Sequence, residues 1–272
     1  MPESTDMNSF ASIDEAILEI QEGRMVILVD DEDRENEGDL TMAADKITPE
    51  AVNFMAIHGR GLICVSIMGE RADELDLLPM VSVNTASLGT AFTVSVDAKR
   101  NVTTGISAGD RSETIRQIVD PGTKPYDLAR PGHIFPLRAK NGGVLVRAGQ
   151  TEGSVDLARL AGLNPAGVIC EIMSPDGTMS RMPELKEFAQ AHNLMIVTIQ
   201  DLVEYRMRRE SLIKQVSETT IPTRFGTFQV KTYQGTIGGE IYLAFILGDP
   251  TPEEDVLVRV HSQCLTGDVF GS

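Results

Sequence analysis

The sequence predicts an α+β fold: a mixed, twisted β-sheet covered by helices, followed by a small β-rich C-terminal fragment. Two patterns and the chain length carry that expectation. Through about residue 206, apolar runs of strand length alternate with helical patterns, but at irregular spacing and with long loops, which argues against a regular doubly wound sheet. After Arg206-Met207-Arg208-Arg209-Glu210 the helical signal fades, and residues 223–272 hold β-type runs between Gly and Pro turns. At 272 residues and 42% hydrophobic content, the chain suffices for one large domain, or one domain plus a fragment. The expected division is a main domain over 1–206, a linker over 207–222 and an incomplete segment over 223–272.

The elements follow in order. Ser12 and Glu15 make a capping box, and Ile13, Ala16, Ile17 and Ile20 recur at helical spacing until Gly23. A strand over 25–29 comes next. Thr48-Pro49 opens a helix carrying Phe54, Met55 and His58. Strands are expected at 61–67 and 92–96, and residues 76–91 between them lack periodicity. A hydroxyl- and glycine-containing loop over 103–110 leads to a helix near 111–119, then to a loop through Pro121 and Pro125. Val144-Leu145-Val146 is an apolar run, followed by a helix over about 152–162 and a strand at 167–170. A helix over 183–192, a strand at 195–199 and a helix over about 200–214 complete the main part. In the tail, strands are expected at 225–231, 241–246 and 256–260.

The net charge of −16 argues against nucleic acid and anionic membrane as partners. An anionic substrate would need local cations to reverse that field. Cys64, Cys170 and Cys264 stand alone, with no C-x-x-C spacing, as expected in a reducing compartment. Residues 1–10 are polar and acidic, without a basic and apolar leader pattern, and no run approaches the length of a membrane span. The expected location is the cytoplasm.

Asp30 to Asp39 packs seven carboxylates and one arginine into ten residues directly after a strand. It reads either as a solvated acidic loop or as a site whose repulsion a divalent cation relieves, with Arg34 offering a forked donor beside Glu35 and Glu37. His133, between Arg130 and Arg138 in a Pro-bounded loop, is either structural or a proton carrier. Arg147-Ala148-Gly149-Gln150-Thr151-Glu152 reads as a helix start capped by Thr151 or as an anion seat charged by Arg147. Glu171, ending the apolar run from Ala166, is either a core residue paired with arginine or a desolvated acid suited to proton transfer.

Five segments in this order resemble 3,4-dihydroxy-2-butanone-4-phosphate synthase, over about residues 11–206. They are the acidic run, the Thr103-Thr104-Gly105 loop with Asp110-Arg111, Arg130-Pro131-Gly132-His133, Arg147 to Glu152, and Ala166 to Glu171. The resemblance implies a dihydroxybutanone-phosphate synthase-like fold and conversion of D-ribulose 5-phosphate to L-3,4-dihydroxybutan-2-one 4-phosphate and formate. It implies Mg2+ or Mn2+, with two divalent ions possible, and a homodimer with sites near the subunit interface. By motif, Glu35 and Gln150 are the metal ligands, and His133 and Glu171 are essential for turnover. Arg34, Glu35, Asp39, Arg147, Ala148, Gly149, Gln150, Thr151 and Glu171 contact the sugar phosphate. Cys64 lies near the site without a role. Where family members carry a histidine in Arg-Gly-Gly-His-Thr or Arg-Ala-Gly-His-Thr, this chain has Gln150. An amide oxygen suits magnesium better than manganese, so a shift towards magnesium and weaker binding are expected.

The tail resembles the start of GTP cyclohydrolase II through Pro222 to Gly226 and Val258 to Asp268. Of that family's three zinc cysteines only Cys264 is matched, and Gln263 stands where a glutamate is usual, so this segment is expected to be inactive on GTP. Two alternatives accompany the main reading: a catalytically weak sugar-phosphate-binding remnant, and a truncated bifunctional enzyme.

Overall fold

The structure, a computed structural model, describes residues 10–251 and 255–272; the acidic start expected over 1–10 lies, except for Phe10, outside them. The chain divides into two units, one through Glu210 and one from Ser211.

In the first unit the elements run α1 (Ile13–Gln21), β1 (Val26–Val29), β2 (Gly38–Ala43), α2 (Pro49–Phe54), β3 (Cys64–Met68), α3 (Gly69–Glu74), β4 (Val96–Ala98), α4 (Ala108–Val119), β5 (Leu128–Ala139), α5 (Gln150–Leu160), β6 (Ala166–Glu171), α6 (Met182–His192), β7 (Met195–Thr198) and α7 (Ile199–Arg209). Seven strands form one sheet in the order β4-β5-β3-β6-β2-β1-β7. The pairs β1–β7 and β3–β5 are parallel and the others antiparallel, so the sheet is mixed, as expected.

Caps fix the helix starts. The Ser12 side chain accepts from the Glu15 N–H while Glu15 accepts from the Ser12 N–H, and Thr48 caps α2 with Pro49 at its first position. Alternation along the strands then decides what covers each face. Ile27, Leu40, Met42, Val65, Ile67, Val168 and Cys170 pack with Val52 of α2, Met55 of the turn after it, Ile115 and Ile118 of α4, and Leu185 of α6. Val26, Leu28 and Val197 pack on the other face with Ile20, Leu157 and Leu202 from α1, α5 and α7. Helix α5 lies close on the sheet: a Cβ on Gly167 would meet Ser154 Cβ at 2.4 Å, so only glycine admits the helix there.

Several expected elements change. The Pro-bounded loop around His133 is instead part of β5. Val96 pairs with Ile134 and Asp97 with Ala129, so Arg130-Pro131-Gly132-His133 bulges out of the β4 ladder, which is how a strand tolerates Pro131. The strand expected at 92–96 is displaced to β4, which shares only Val96 with it, and Phe92 and Thr93 make single bridges. Val144-Leu145-Val146 is not a strand: Gly143–Leu145 form a 3₁₀ turn. Helix α5 begins at Gln150 with Gly149 as its cap, so Thr151 lies inside the first turn. The linker expected over 207–222 is helix through Arg209 and strand from Ile213. β2 and α3 are additions.

The second unit contains β8 (Ile213–Thr223), β9 (Gly226–Gly235) and β10 (Ile241–Ile246) in an antiparallel sheet of order β10-β9-β8, and the four-residue α8 (Leu265–Asp268). No strand forms over 256–260.

Candidate active site

Strand register assembles the acids. Asp39, second in β2, lies opposite Glu171, last in β6. Their neighbours Leu40 and Cys170 belong to the first core face, so both carboxylates project from the opposite face, within about 5 Å at Cβ. Asp39 is 4% exposed, and burial, reinforced by Glu171, Glu35 and Glu37, pushes its carboxyl well above the usual range. Glu37 is pushed up by burial and then by Glu35. Glu171 accepts the Leu62 N–H at 2.8 Å and packs on Gly61, where a Cβ would meet its Oε2 at 2.6 Å. The nearby thiols are inert: burial raises Cys64 strongly and pushes Cys170 up to about 12.

The acidic run is a folded loop with Asp30 as its anchor. The Asp30 carboxylate accepts from Arg34 Nη1 at 2.6 Å, the Glu35 N–H at 3.2 Å and the Glu37 N–H at 2.9 Å. Arg181 donates to the backbone carbonyls of Glu35 and Asn36. Asp31, Glu32 and Asp33 face solvent, so the solvated-loop reading holds for three of the acids.

Beside this loop, two arginines converge at the start of α5. A Cβ on Gly149 would meet Arg147 Nη1 at 2.6 Å and Arg34 Nη2 at 2.9 Å. Arg34 also pairs with Glu35 at 2.9 Å, and Arg147 with the buried Glu152 at 2.6 Å. The Thr151 hydroxyl has no protein partner among the described residues. Two guanidiniums, a free hydroxyl and the N-terminus of an 11-residue helix make an anion seat. Gln150, 6% exposed, accepts from Arg34 Nη1 at 3.1 Å and donates to the Glu37 carbonyl at 3.4 Å, tying the seat to the acidic loop. A cavity of about 400 Å³ opens between Asp31, Asp33, Arg34 and Ala148 on one side and Ile199, Gln200 and Val203 on the other.

His133 precedes by two residues Phe135, the β5 partner of Cys64, and so stands about two strand spacings, roughly 10 Å, from Glu171 along the sheet. Its Nδ1 lies 2.7 Å from Asp97 Oδ2, and its N–H donates to Asp97 Oδ1 at 2.9 Å. Gly105, at φ +94°, packs on the pair. Asp110 holds that loop by accepting from the Thr103 hydroxyl, the Thr103 N–H and the Gly105 N–H, which lower its carboxyl to about 2. Sequence reasoning missed Asp97 and the anchoring roles of Asp30 and Asp110. The available signal for Asp97 was the one used for Glu171, an acid terminating an apolar run.

The donor set near Asp39 fits a hard divalent cation. Glu35, Glu37, Asp39 and Glu171 offer only oxygen, and Arg34 and Arg181 compensate part of their charge. Among the described residues no three His, Cys, Asp or Glu side chains enclose an ion by themselves. Among the same residues no helix is long and apolar enough to cross a membrane.

The family profile for 3,4-dihydroxy-2-butanone 4-phosphate synthase matches residues 14–205, and that for GTP cyclohydrolase II matches 214–272. The riboflavin biosynthesis protein RibBA of Aquifex aeolicus is 59% identical over 265 residues, and that of Bacillus subtilis 56% over 264. Each alignment covers 97% of this chain, which spans 65% and 66% of the two relatives' lengths. RibBX, a two-domain 3,4-dihydroxy-2-butanone 4-phosphate synthase from A. baumannii, superposes with TM-score 0.83 at 46% identity, covering 95% of this chain and 76% of that one. A synthase crystallised with two magnesium ions gives TM-score 0.70 at 42% identity, covering 74% of this chain and 98% of that one. Through residues 14–205 this chain belongs to the 3,4-dihydroxy-2-butanone 4-phosphate synthase family.

Proposed function

We propose that the unit ending at Glu210 converts D-ribulose 5-phosphate to L-3,4-dihydroxybutan-2-one 4-phosphate and formate for riboflavin biosynthesis. The observation that carries this reading is the joining of an acid pair, Asp39 and Glu171, to a two-arginine anion seat through Gln150 and the Asp30-anchored loop. Arg34, Arg147 and Thr151 hold the phosphate, with Ala148 and Gly149 allowing its close approach. The sugar then extends towards Glu35, Asp39 and Glu171. Asp39, whose carboxyl burial and the neighbouring acids push upward, is placed to act as the acid, and Glu171, oriented by the Leu62 N–H, as its partner base. His133 moves a second proton at Nε2, because the Asp97 carboxylate favours hydrogen on Nδ1.

Mg2+ or Mn2+, one ion or two, is held by Glu35 with Gln150 as the further ligand. When bound, it supplies positive charge opposite oxyanions developing on the sugar. The Gln150 oxygen has a second lone pair beyond the one used by Arg34, so both contacts are compatible. A homodimer is part of the reading. It is supported by the exposed Leu78, Met80, Val81, Val83 and Leu88, on a segment whose Leu88 carbonyl accepts from Arg147. A cytoplasmic setting is supported by three unpaired cysteines. Within residues 211–272 Cys264 is the one cysteine, and GTP chemistry in that segment is not part of the proposal.

The test is formate release from ribulose 5-phosphate with Mg2+. No metal-dependent formate sinks the proposal and leaves a sugar-phosphate binder.

A further inference from the structure

We propose that Glu152 is a positioning residue of the anion seat, its buried carboxylate aiming the Arg147 guanidinium before any substrate arrives. The inference rests on the reading that this seat takes the substrate's phosphate, and it names the group that prepares the seat. Glu152 lies in the first turn of α5 and is 1% exposed. Its two oxygens are divided: Oε2 accepts from Arg147 Nη1 at 2.6 Å, and Oε1 accepts the Lys140 N–H at 3.0 Å. Lys140 directly follows Ala139, the last residue of β5, so the carboxylate is anchored on backbone at one oxygen and free to orient a side chain with the other. Nη1, the nitrogen that Glu152 holds, is also the one that a Cβ on Gly149 would meet at 2.6 Å, so this bond sets where the guanidinium lies at the start of α5. Arg147 Nη2 donates to the Leu88 carbonyl at 3.4 Å. Nε and the remaining hydrogens of both terminal nitrogens have no protein partner among the described residues and are left for an anion. Arg34 repeats the arrangement, with Nη1 held at 2.6 Å by the fully buried Asp30 side chain.

A buried carboxylate beside a phosphate seat repels the phosphate, so its presence there needs a gain elsewhere. The gain is direction. A free arginine side chain loses rotamer freedom when it closes on a ligand, and one already held does not. The phosphate keeps its bonds and its charge through the reaction, so contacts to it are the same before and during the chemistry and set KM rather than kcat. Glutamine at position 152 keeps the size of the side chain but offers one acceptor in place of two. If its oxygen accepts the Lys140 N–H, its NH2 faces Arg147, donor against donor. Arg147 then loses its aim while the seat loses a negative charge. These two consequences move phosphate affinity in opposite directions, which separates positioning from a charge effect.

The experiment measures formate release against ribulose 5-phosphate concentration with Mg2+, and follows inorganic phosphate binding to the full chain by phosphorus NMR. In Glu152→Gln, KM should rise about tenfold with kcat within about twofold, and phosphate should bind about tenfold more weakly. In an Arg147→Lys background the same change should add less than about twofold to either, because Glu152 acts through Arg147. A KM and a phosphate affinity that hold or improve in Glu152→Gln overturn the proposal, as do a loss confined to kcat and a full penalty in the Arg147→Lys background. If the unaltered chain releases no formate but Glu152→Gln still weakens phosphate binding, the positioning stands and the assigned reaction falls. Should Glu152→Gln unfold, nitrogen NMR of the ligand-free unaltered chain decides. Arg147 should then show separate Nη1 and Nη2 signals, identified by their loss in Arg147→Lys, and a single averaged signal overturns the proposal.

Discussion

Gly105→Ala tests the reasoning about His133 most directly, because the substitution adds one methyl group at a place where space is already taken. The new Cβ would lie 2.2 Å from Asp97 Oδ2 and 2.6 Å from His133 Nδ1, both far inside contact distance, at a φ of +94° that L-residues rarely adopt. Either the loop moves or the 2.7 Å pair between those two atoms opens. The backbone conformation costs about 1–2 kcal/mol, and losing a charge-assisted hydrogen bond about 1.5–3 kcal/mol. Together these lower the Tm of a domain this size by roughly 10 °C. In formate release, kcat should fall about 10²–10⁴-fold, the usual worth of a positioned proton carrier. KM should hold, since Arg34, Arg147 and Thr151 are untouched. Asp97→Asn, which breaks the charge pair without the clash, should reproduce the loss of kcat with a smaller drop in Tm. A Gly105→Ala protein with Tm within about 2 °C of the parent and kcat within about twofold would refute the proposed dyad.

Three further outcomes are expected. Gln150→His should tighten Mn2+ relative to Mg2+ in activity titrations; unchanged affinity and preference mean that position 150 is not a ligand. Arg206→Ala removes the partner of Asp156, a 2.7 Å pair whose side chains are 5% and 4% exposed, and should cost about 3–5 kcal/mol in urea unfolding. A loss below about 1 kcal/mol would mean that the pair is solvated. Glu210 is held at about 2, first by its hydrogen bond to Arg206 and then by Arg159. A depressed folded-state value gives stability that is complete above the ordinary 4.5 and is lost as pH falls from there towards about 2. In Glu210→Gln the decline of Tm across that window should flatten; an unchanged acid profile would show that Glu210 is not a source of it.

Charge and chain order made the outline of the site legible early. Arg34, Glu35, Asp39, Arg147 and Glu171 stand out because charged groups at strand ends and helix starts are costly without a purpose. Their five-segment order pointed to one family. The helix caps and apolar runs likewise announced α1, β1, α2, β6 and β7, since those signals act over three or four residues. β5 and β8 were illegible for the opposite reason. β5 contains Pro131 and Pro136 and becomes a strand only by bulging past β4 while pairing with β3. β8 has every residue exposed and owes its form to pairing with β9.

The sequence by itself determined the composition of the candidate site: an oxygen-rich cluster, two arginines and an amide at position 150. Only the tertiary structure decided which of these groups lie together. Register across β2 and β6 set Asp39 against Glu171, the bulge in β5 gave His133 to Asp97, and the approach of α5 turned Gln150 towards Arg34. The physical reason is that pairing between strands fixes side-chain distance to about 5 Å across any separation in sequence, and composition carries no record of which residues face one another.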